Sequence, residues 1–158
     1  MHDIGNMTAL EMSVAFRSKV LSPVEIIQDV LARSCAVNET LNAFTLIDEK
    51  GALRSAKESE MRWQNGTELS PFDGVPATVK DLLAHKNWPT KFGSYAIASP
   101  VLGVDAPAVA RLREAGVVMF GMTTSPELGW KGVTDSPRFG ITRNPWNPDC
   151  TPGGSSGG

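Results

Sequence analysis

Residues 74–120 restrict the folds open to this chain more tightly than any other stretch. Gly74-Val75-Pro76-Ala77-Thr78-Val79-Lys80 sets β-branched residues behind a turn, and residues 105–115 carry a capped helical pattern that Gly116 stops. Val117-Val118-Met119-Phe120 follows at once as an apolar run. A strand, a helix and a strand in that order predict α/β architecture with at least part of the sheet parallel, because a crossover helix brings the second strand back in the direction of the first.

The residues before this stretch read as mainly helical. Thr8 and Glu11 form a capping-box pattern, in which each side chain satisfies a backbone N–H at the start of a helix. Ser22, Pro23 and Glu25 repeat the signal, with proline at the first helical position. From there Ile26, Ile27, Val30, Leu31 and Cys35 recur at three- and four-residue spacing, which predicts one apolar face. The run 43–47 predicts a short strand, and a more polar helix is expected from about 49 to 63, ended by Asn65-Gly66. The expected organisation is one domain, with a helical lead-in over 1–66 and an α/β part over 67–158. No internal repeat is visible.

Composition excludes several function classes. With 41 % apolar and 20 % charged residues the chain lies close to ordinary globular usage. A formal charge of -2 gives no positive field for nucleic acid. No apolar run reaches bilayer length and the first twenty residues lack a secretory core, so no membrane partner and a cytoplasmic location are expected. Cys35, on the helical stripe, and Cys150, in a proline-rich loop, are not expected to pair. The two histidines give no metal-ligand spacing: His2 is expected to be disordered beside the initiator, and His85 to be a surface or hydrogen-bonded core residue.

From about residue 123 onward the chain is rich in Gly, Pro, Ser, Thr and Asn, and lacks clear periodicity. Loops of this length in compact domains are functional or disordered. Trp130, Phe139 and Trp146 argue for order, on the expectation that large aromatics pack against something. The last eight residues, TPGGSSGG, admit three readings. A phosphate-binding loop would need a lysine and a hydroxyl residue just after the glycines, which are absent. A flexible spacer explains the composition but not the ordered-looking residues 143–151 before it. In a catalytic loop, glycines would permit close backbone approach and serines would supply hydroxyls. A catalytic serine needs a base, and a buried lysine with a lowered pKa can serve. Lys80 ends an apolar strand-like stretch and is followed by Asp81; it either snorkels at the strand end or is that base.

The segments GVPATVKD, PTKFGS, DAPAVARLREAGVVMFGMTTSPELG and FGITRNPWNPDCTPGGSSGG, in that order and spacing, resemble the N-terminal third of the amidase signature family. The likeness runs from about residue 72 to 158, and the opening helices with SPVE resemble the family's opening segment. The resemblance implies a large mixed sheet flanked by helices and a Ser-Ser-Lys triad that hydrolyses carboxylic amides. Lys80 of VKD matches the family's catalytic lysine. Ser155 of GGSSGG matches the bridging serine, held in the family by a cis peptide, and Ser156 matches the neighbouring serine that supports the network. Gly129 falls where the family exposes backbone to the substrate channel.

The resemblance also implies a small-molecule amide as substrate, no cofactor and no metal, and leaves a homo-oligomer open. Met122 departs from the family's frequent lysine, and Asn87-Trp88 from a frequent small residue after KD. The family's nucleophile lies roughly two dozen residues beyond the bridging serine, in a glycine-rich stretch that also forms the oxyanion hole, so residues 1–158 are expected to be an N-terminal part without it. Two rival readings are the glutamine-hydrolysing component of a tRNA amidotransferase and a non-catalytic scaffold.

Overall fold

The computed structural model describes residues 4–98 and 101–158. His2 lies outside them. The chain clusters into two compact units. The first comprises Met1–Ser34, Asp48–Ala77 and Arg111–Phe120, and the second Cys35–Ile47, Thr78–Ala110 and Gly121–Gly158.

In the first unit the capping residues act as the sequence predicts. Glu11 N–H donates to Thr8 Oγ1 at 3.2 Å while Thr8 N–H donates to Glu11 Oε2 at 2.7 Å, opening α1 (Ala9–Arg17). Ser22 and Glu25 make the same reciprocal pair at 2.8 and 3.2 Å, and α2 (Pro23–Leu41) follows. Helix α3 (Glu49–Asn65) is capped by Asp48, which accepts from Gly51 N–H at 2.9 Å, and ends at Gly66 in the left-handed conformation. Met12, Phe16, Ile26, Trp63 and Val75 form an apolar cluster, with the Phe16 and Trp63 ring centroids 6.1 Å apart.

The apolar face of α2 departs from expectation at its far end. Ile26, Ile27 and Leu31 are buried, but Cys35 is exposed and Ser34 takes the buried position. At 3.6 residues per turn, position 34 falls roughly 20° from Ile27 and position 35 roughly 80°, so the stripe drifts past the cysteine.

The main sheet has the order β1-β3-β2, with β1 Phe44–Ile47, β2 Pro76–Lys80 and β3 Val118–Thr123. Strands β1 and β3 are antiparallel, pairing Ile47 with Gly121 and Leu46 with Met122, with an irregularity between Phe44 and Leu46. Val118 N–H donates to Val75 O and Asp81 N–H to Thr123 O, so β2 and β3 advance together and are parallel. Helix α4 (Pro107–Glu114) lies between them in the chain. The sheet is therefore mixed, as expected. Strand β3 runs three residues further than its apolar run predicts. It passes through Gly121, where a Cβ would stand 2.5 Å from Leu46 O, so the glycine admits the neighbouring backbone rather than ending the strand.

The segment after Thr123 holds a 3-10 turn at Glu127–Gly129 and a short antiparallel pair, β4 (Asp135–Ser136) with β5 (Gly140–Ile141). Of the three large aromatics expected to order it, Phe139 is half-buried, with Lys91 Nζ 5.6 Å from its ring centroid, but the two tryptophans are not buried. Trp130 is 76 % and Trp146 95 % exposed, so neither supplies a packing anchor. Hydrogen bonds hold the segment: Asn42 Nδ2 donates to Phe139 O at 2.6 Å, Arg143 Nη1 to Pro148 O at 2.8 Å, and Asn144 N–H to Cys150 O at 3.0 Å.

Candidate active site

Lys80 is the last residue of β2, after the buried Val79. The chain turns immediately beyond it, and Lys80 O accepts from both Leu82 N–H at 2.7 Å and Leu83 N–H at 3.0 Å. The strand thus delivers the half-buried lysine at its carboxyl end, where open α/β sheets commonly place their sites. Lys80 Nζ donates to Ser155 Oγ at 2.8 Å and to Ser156 Oγ at 3.0 Å. The Gly154–Ser155 peptide bond is cis. Burial holds the Lys80 amine below the ordinary lysine range, because removing it from water disfavours the ammonium form. The arrangement pairs an amine biased towards neutrality with two hydroxyls in direct hydrogen-bond reach.

Asp81, next in sequence, does not face those hydroxyls. It is fully buried and accepts from Lys91 N–H at 2.8 Å and Gly93 N–H at 3.4 Å. Burial pushes its carboxyl up, with those N–H groups and the charges of Lys91 and Arg138 opposing. Asp81 therefore anchors the 91–93 loop. Gly129 has φ 71° and stands close to Leu82, where an added Cβ would lie 2.5 Å from Leu82 Cδ1, and its N–H is committed to Pro126 O at 2.9 Å. The structure thus joins Lys80, Ser155 and Ser156 directly, and sets Gly129 beside the turn that follows the lysine. His85 is buried and stacked on Trp88, centroids 3.6 Å apart, with Nδ1 accepting from Asn87 N–H at 3.3 Å. That is the hydrogen-bonded core role expected of it.

Nothing in the sequence singles out three buried threonines: Thr134 and Thr124 stand against Gly157 and Gly158 of the serine loop, and Thr142 contacts Thr124. Thr142 Oγ1 donates to Asn42 O at 2.8 Å, the Thr124 and Thr142 hydroxyls are 2.7 Å apart, and Thr124 Oγ1 also lies 3.2 Å from Ala43 O. Thr134 Oγ1 donates to Gly153 O at 2.8 Å. In the sequence these residues are indistinguishable from loop threonines, because their hydroxyls are satisfied by segments far from them along the chain, as Thr142 is by Asn42.

A lysine at a strand end, hydrogen-bonded to paired serines in a glycine loop, is the arrangement implied by the sequence resemblance, and the model of the amidase family matches residues 25–158. The chain belongs to the amidase family. Among amidase-family relatives, it is 39 % identical over 151 residues to the indoleacetamide hydrolase of Bradyrhizobium diazoefficiens, covering 96 % of this chain and 29 % of that protein. It is 35 % identical over 158 residues to the A component of the glutamyl-tRNA(Gln) amidotransferase of Acidothermus cellulolyticus, covering 100 % of this chain and 31 % of that protein. The solved peptide amidase of Stenotrophomonas maltophilia superposes with a TM-score of 0.90 at 28 % identity, over 98 % of this chain and 33 % of that one. The chain therefore spans under a third of the length of these two curated relatives. Its departures from the family pattern are accommodated by packing: Met122 is fully buried in β3, and Trp88 is the residue that covers His85.

Proposed function

We propose that this amidase-family chain supplies the lysine and bridging serine of a Ser-Ser-Lys relay that hydrolyses a small carboxylic amide. The reading rests on one observation above all, the 2.8 Å contact between the Lys80 amine, its pKa depressed by burial, and Ser155 Oγ. Neutral Lys80 accepts the Ser155 proton while Ser155 takes one from the attacking serine, so the nucleophile gains charge only as it meets the carbonyl. In this reading the attacking serine belongs to the family segment that follows Gly158, together with the N–H groups that receive the oxyanion. Collapse of the tetrahedral intermediate sends the proton back through Ser155 to the leaving amine, and water then releases the acyl group as a carboxylate. Ser156 supports Lys80 through a second hydroxyl at 3.0 Å, and Gly129 borders the substrate channel. No step requires a cofactor.

The test is mutagenesis in the protein that carries the attacking serine. Lys80→Ala and Ser155→Ala should each lower kcat by at least about 10²-fold, and the double variant should be little worse than the worse single, because members of one relay act as a unit. A wild-type kcat in Lys80→Ala overturns the reading. Similarity to an amidotransferase component along the whole of this chain favours one alternative, glutamine hydrolysis within a tRNA amidotransferase, which copurification of its partner proteins would identify. A non-catalytic scaffold predicts that neither substitution changes a cellular activity. The reading also places the protein in the cytoplasm, a location that fractionation tests; among the described residues no helix is long and apolar enough to cross a membrane.

A further inference from the structure

The serine loop is close to its surroundings at almost every glycine. A Cβ on Gly154 would stand 2.8 Å from Gly132 C and Val133 N, and one on Gly158 would stand 2.5 Å from Ala43 O. One on Gly157 would collide with the Thr134 side chain, 2.8 Å from its Cβ, and lie 2.9 Å from Gly153 O. Residues 132–134 thus form the floor beneath the loop. Thr134 is the member of that floor that touches it at two points: its hydroxyl donates to Gly153 O at 2.8 Å, before the serines, and its side chain meets Gly157 after them. It is 1 % exposed, and its own carbonyl is fixed by Thr142 N–H at 3.0 Å.

We infer that Thr134 is a positioning residue that sets the height of the 153–157 loop and thereby brings the Ser155 and Ser156 hydroxyls within reach of Lys80. The reason is mechanical. Side-chain hydroxyls on a glycine-rich loop have no intrinsic register, because glycine leaves many backbone conformations open. A contact before and a contact after the serines define the position of everything between. Thr134 makes both from one buried side chain: its hydroxyl oxygen holds Gly153 O and is also the atom nearest the place a Gly157 methyl would take, with the Thr134 Cβ next to it. The purpose of this placement rests on the reading of Lys80 and Ser155 as a reacting pair, whereas the placement itself does not.

The experiment compares Thr134→Val, which keeps the shape and removes the hydroxyl, with Thr134→Ser, which keeps the hydroxyl. Amide hydrogen exchange is followed at 153–158 and, as an internal control, at the Asp81 and Ala106 N–H groups of the same unit, bonded to Thr123 O and Ala84 O. Thr134→Val should speed exchange in the loop by about tenfold with the control amides unchanged, as expected for loss of one buried hydrogen bond, and Thr134→Ser should restore most of the protection. The Lys80 titration midpoint, read by amine labelling against pH, should rise in Thr134→Val as the loop ceases to shield the amine. In the protein with its attacking serine, kcat should fall while KM changes little. Should Thr134→Val fail to fold, Gly157→Ala tests the same contact from the loop side and should give the same local increase. Unchanged loop exchange in both Thr134→Val and Gly157→Ala, or equal acceleration at loop and control amides, overturns the inference. Failure of the relay would instead show as unimpaired turnover in Lys80→Ala with the exchange pattern intact, so the two outcomes are distinguishable.

Discussion

Removing the Arg62 guanidinium should destabilise the first unit by about 3 kcal/mol at neutral pH, the low end for breaking a buried ion pair from one side. Asp73 is fully buried, and Arg62 grips both its oxygens at 2.7 Å through Nε and Nη2. Leu69 N–H adds a third bond at 2.9 Å, and the backbone carbonyl of Asp73 accepts from Trp63 Nε1 at 2.9 Å, which ties the pair to the apolar cluster. The low end applies because the Arg62 side chain retains 25 % exposure, so water screens part of the attraction. Burial pushes the Asp73 carboxyl up, but the Arg62 hydrogen bonds and charge and the Leu69 N–H outweigh it and hold the pKa below the ordinary carboxylate value. A depressed carboxylate contributes stability that is present above its unfolded pKa and is lost as pH falls through the folded one. In Arg62→Met only the Leu69 N–H and the Ser59 side chain still oppose burial, and the carboxyl moves up. The difference between wild type and variant should therefore shrink as pH falls from the variant's raised folded pKa, above the ordinary carboxylate value of about 4, to the wild type's depressed one below it. Urea unfolding followed by tryptophan fluorescence at pH 7 and pH 3 measures it, with a midpoint shift of about 1.5 M expected at pH 7 for a slope of about 2 kcal/mol/M. A loss under about 0.5 kcal/mol at pH 7, or an equal loss at both pH values, refutes the reasoning.

Three further expectations concern features outside that pair. The acid limb of the kcat profile should have its midpoint below the ordinary lysine range, since activity grows as Lys80 loses its proton and burial lowers its pKa; a midpoint at or above that range counts against the relay. Gly121→Ala should cost about 1–3 kcal/mol, because its methyl would press on Leu46 O in the middle of the sheet, and unfolding curves will show whether β1 and β3 tolerate it. Trp146→Ala should change stability by no more than about 0.5 kcal/mol, given that its side chain is 95 % exposed, and a larger loss would mean that aromatic packing anchors this segment after all.

What could be read from the sequence was local. The two capping boxes, the strand ending at Lys80 and the stop at Gly66 each depend on residues within a few positions, and each stands where the pattern puts it. The joining of Lys80 to Ser155 and Ser156 was legible only by resemblance, because composition alone left the tail open to a spacer reading. Cys35 was misplaced because a stripe extended by adjacent spacings ignores the drift of a real helix. Trp130 and Trp146 misled because side-chain size says what a residue can bury, not that a partner is present. The threonines were illegible for the converse reason: a hydroxyl becomes structural only when distant backbone carbonyls arrive beside it.

The crowding at Gly154, Gly157 and Gly158 inverts what GGSSGG suggests to the eye. A run that composition would classify as slack is one where most of the glycines have no room for a single methyl group, while the serines between them reach the amine with their side chains. In a saturation library, substitutions at these glycines would deplete the amount of folded protein, and under the proposed relay substitutions at the serines would leave protein abundant and idle. The two phenotypes would alternate within a few consecutive codons, so abundance and turnover have to be scored separately before any position here is assigned a role.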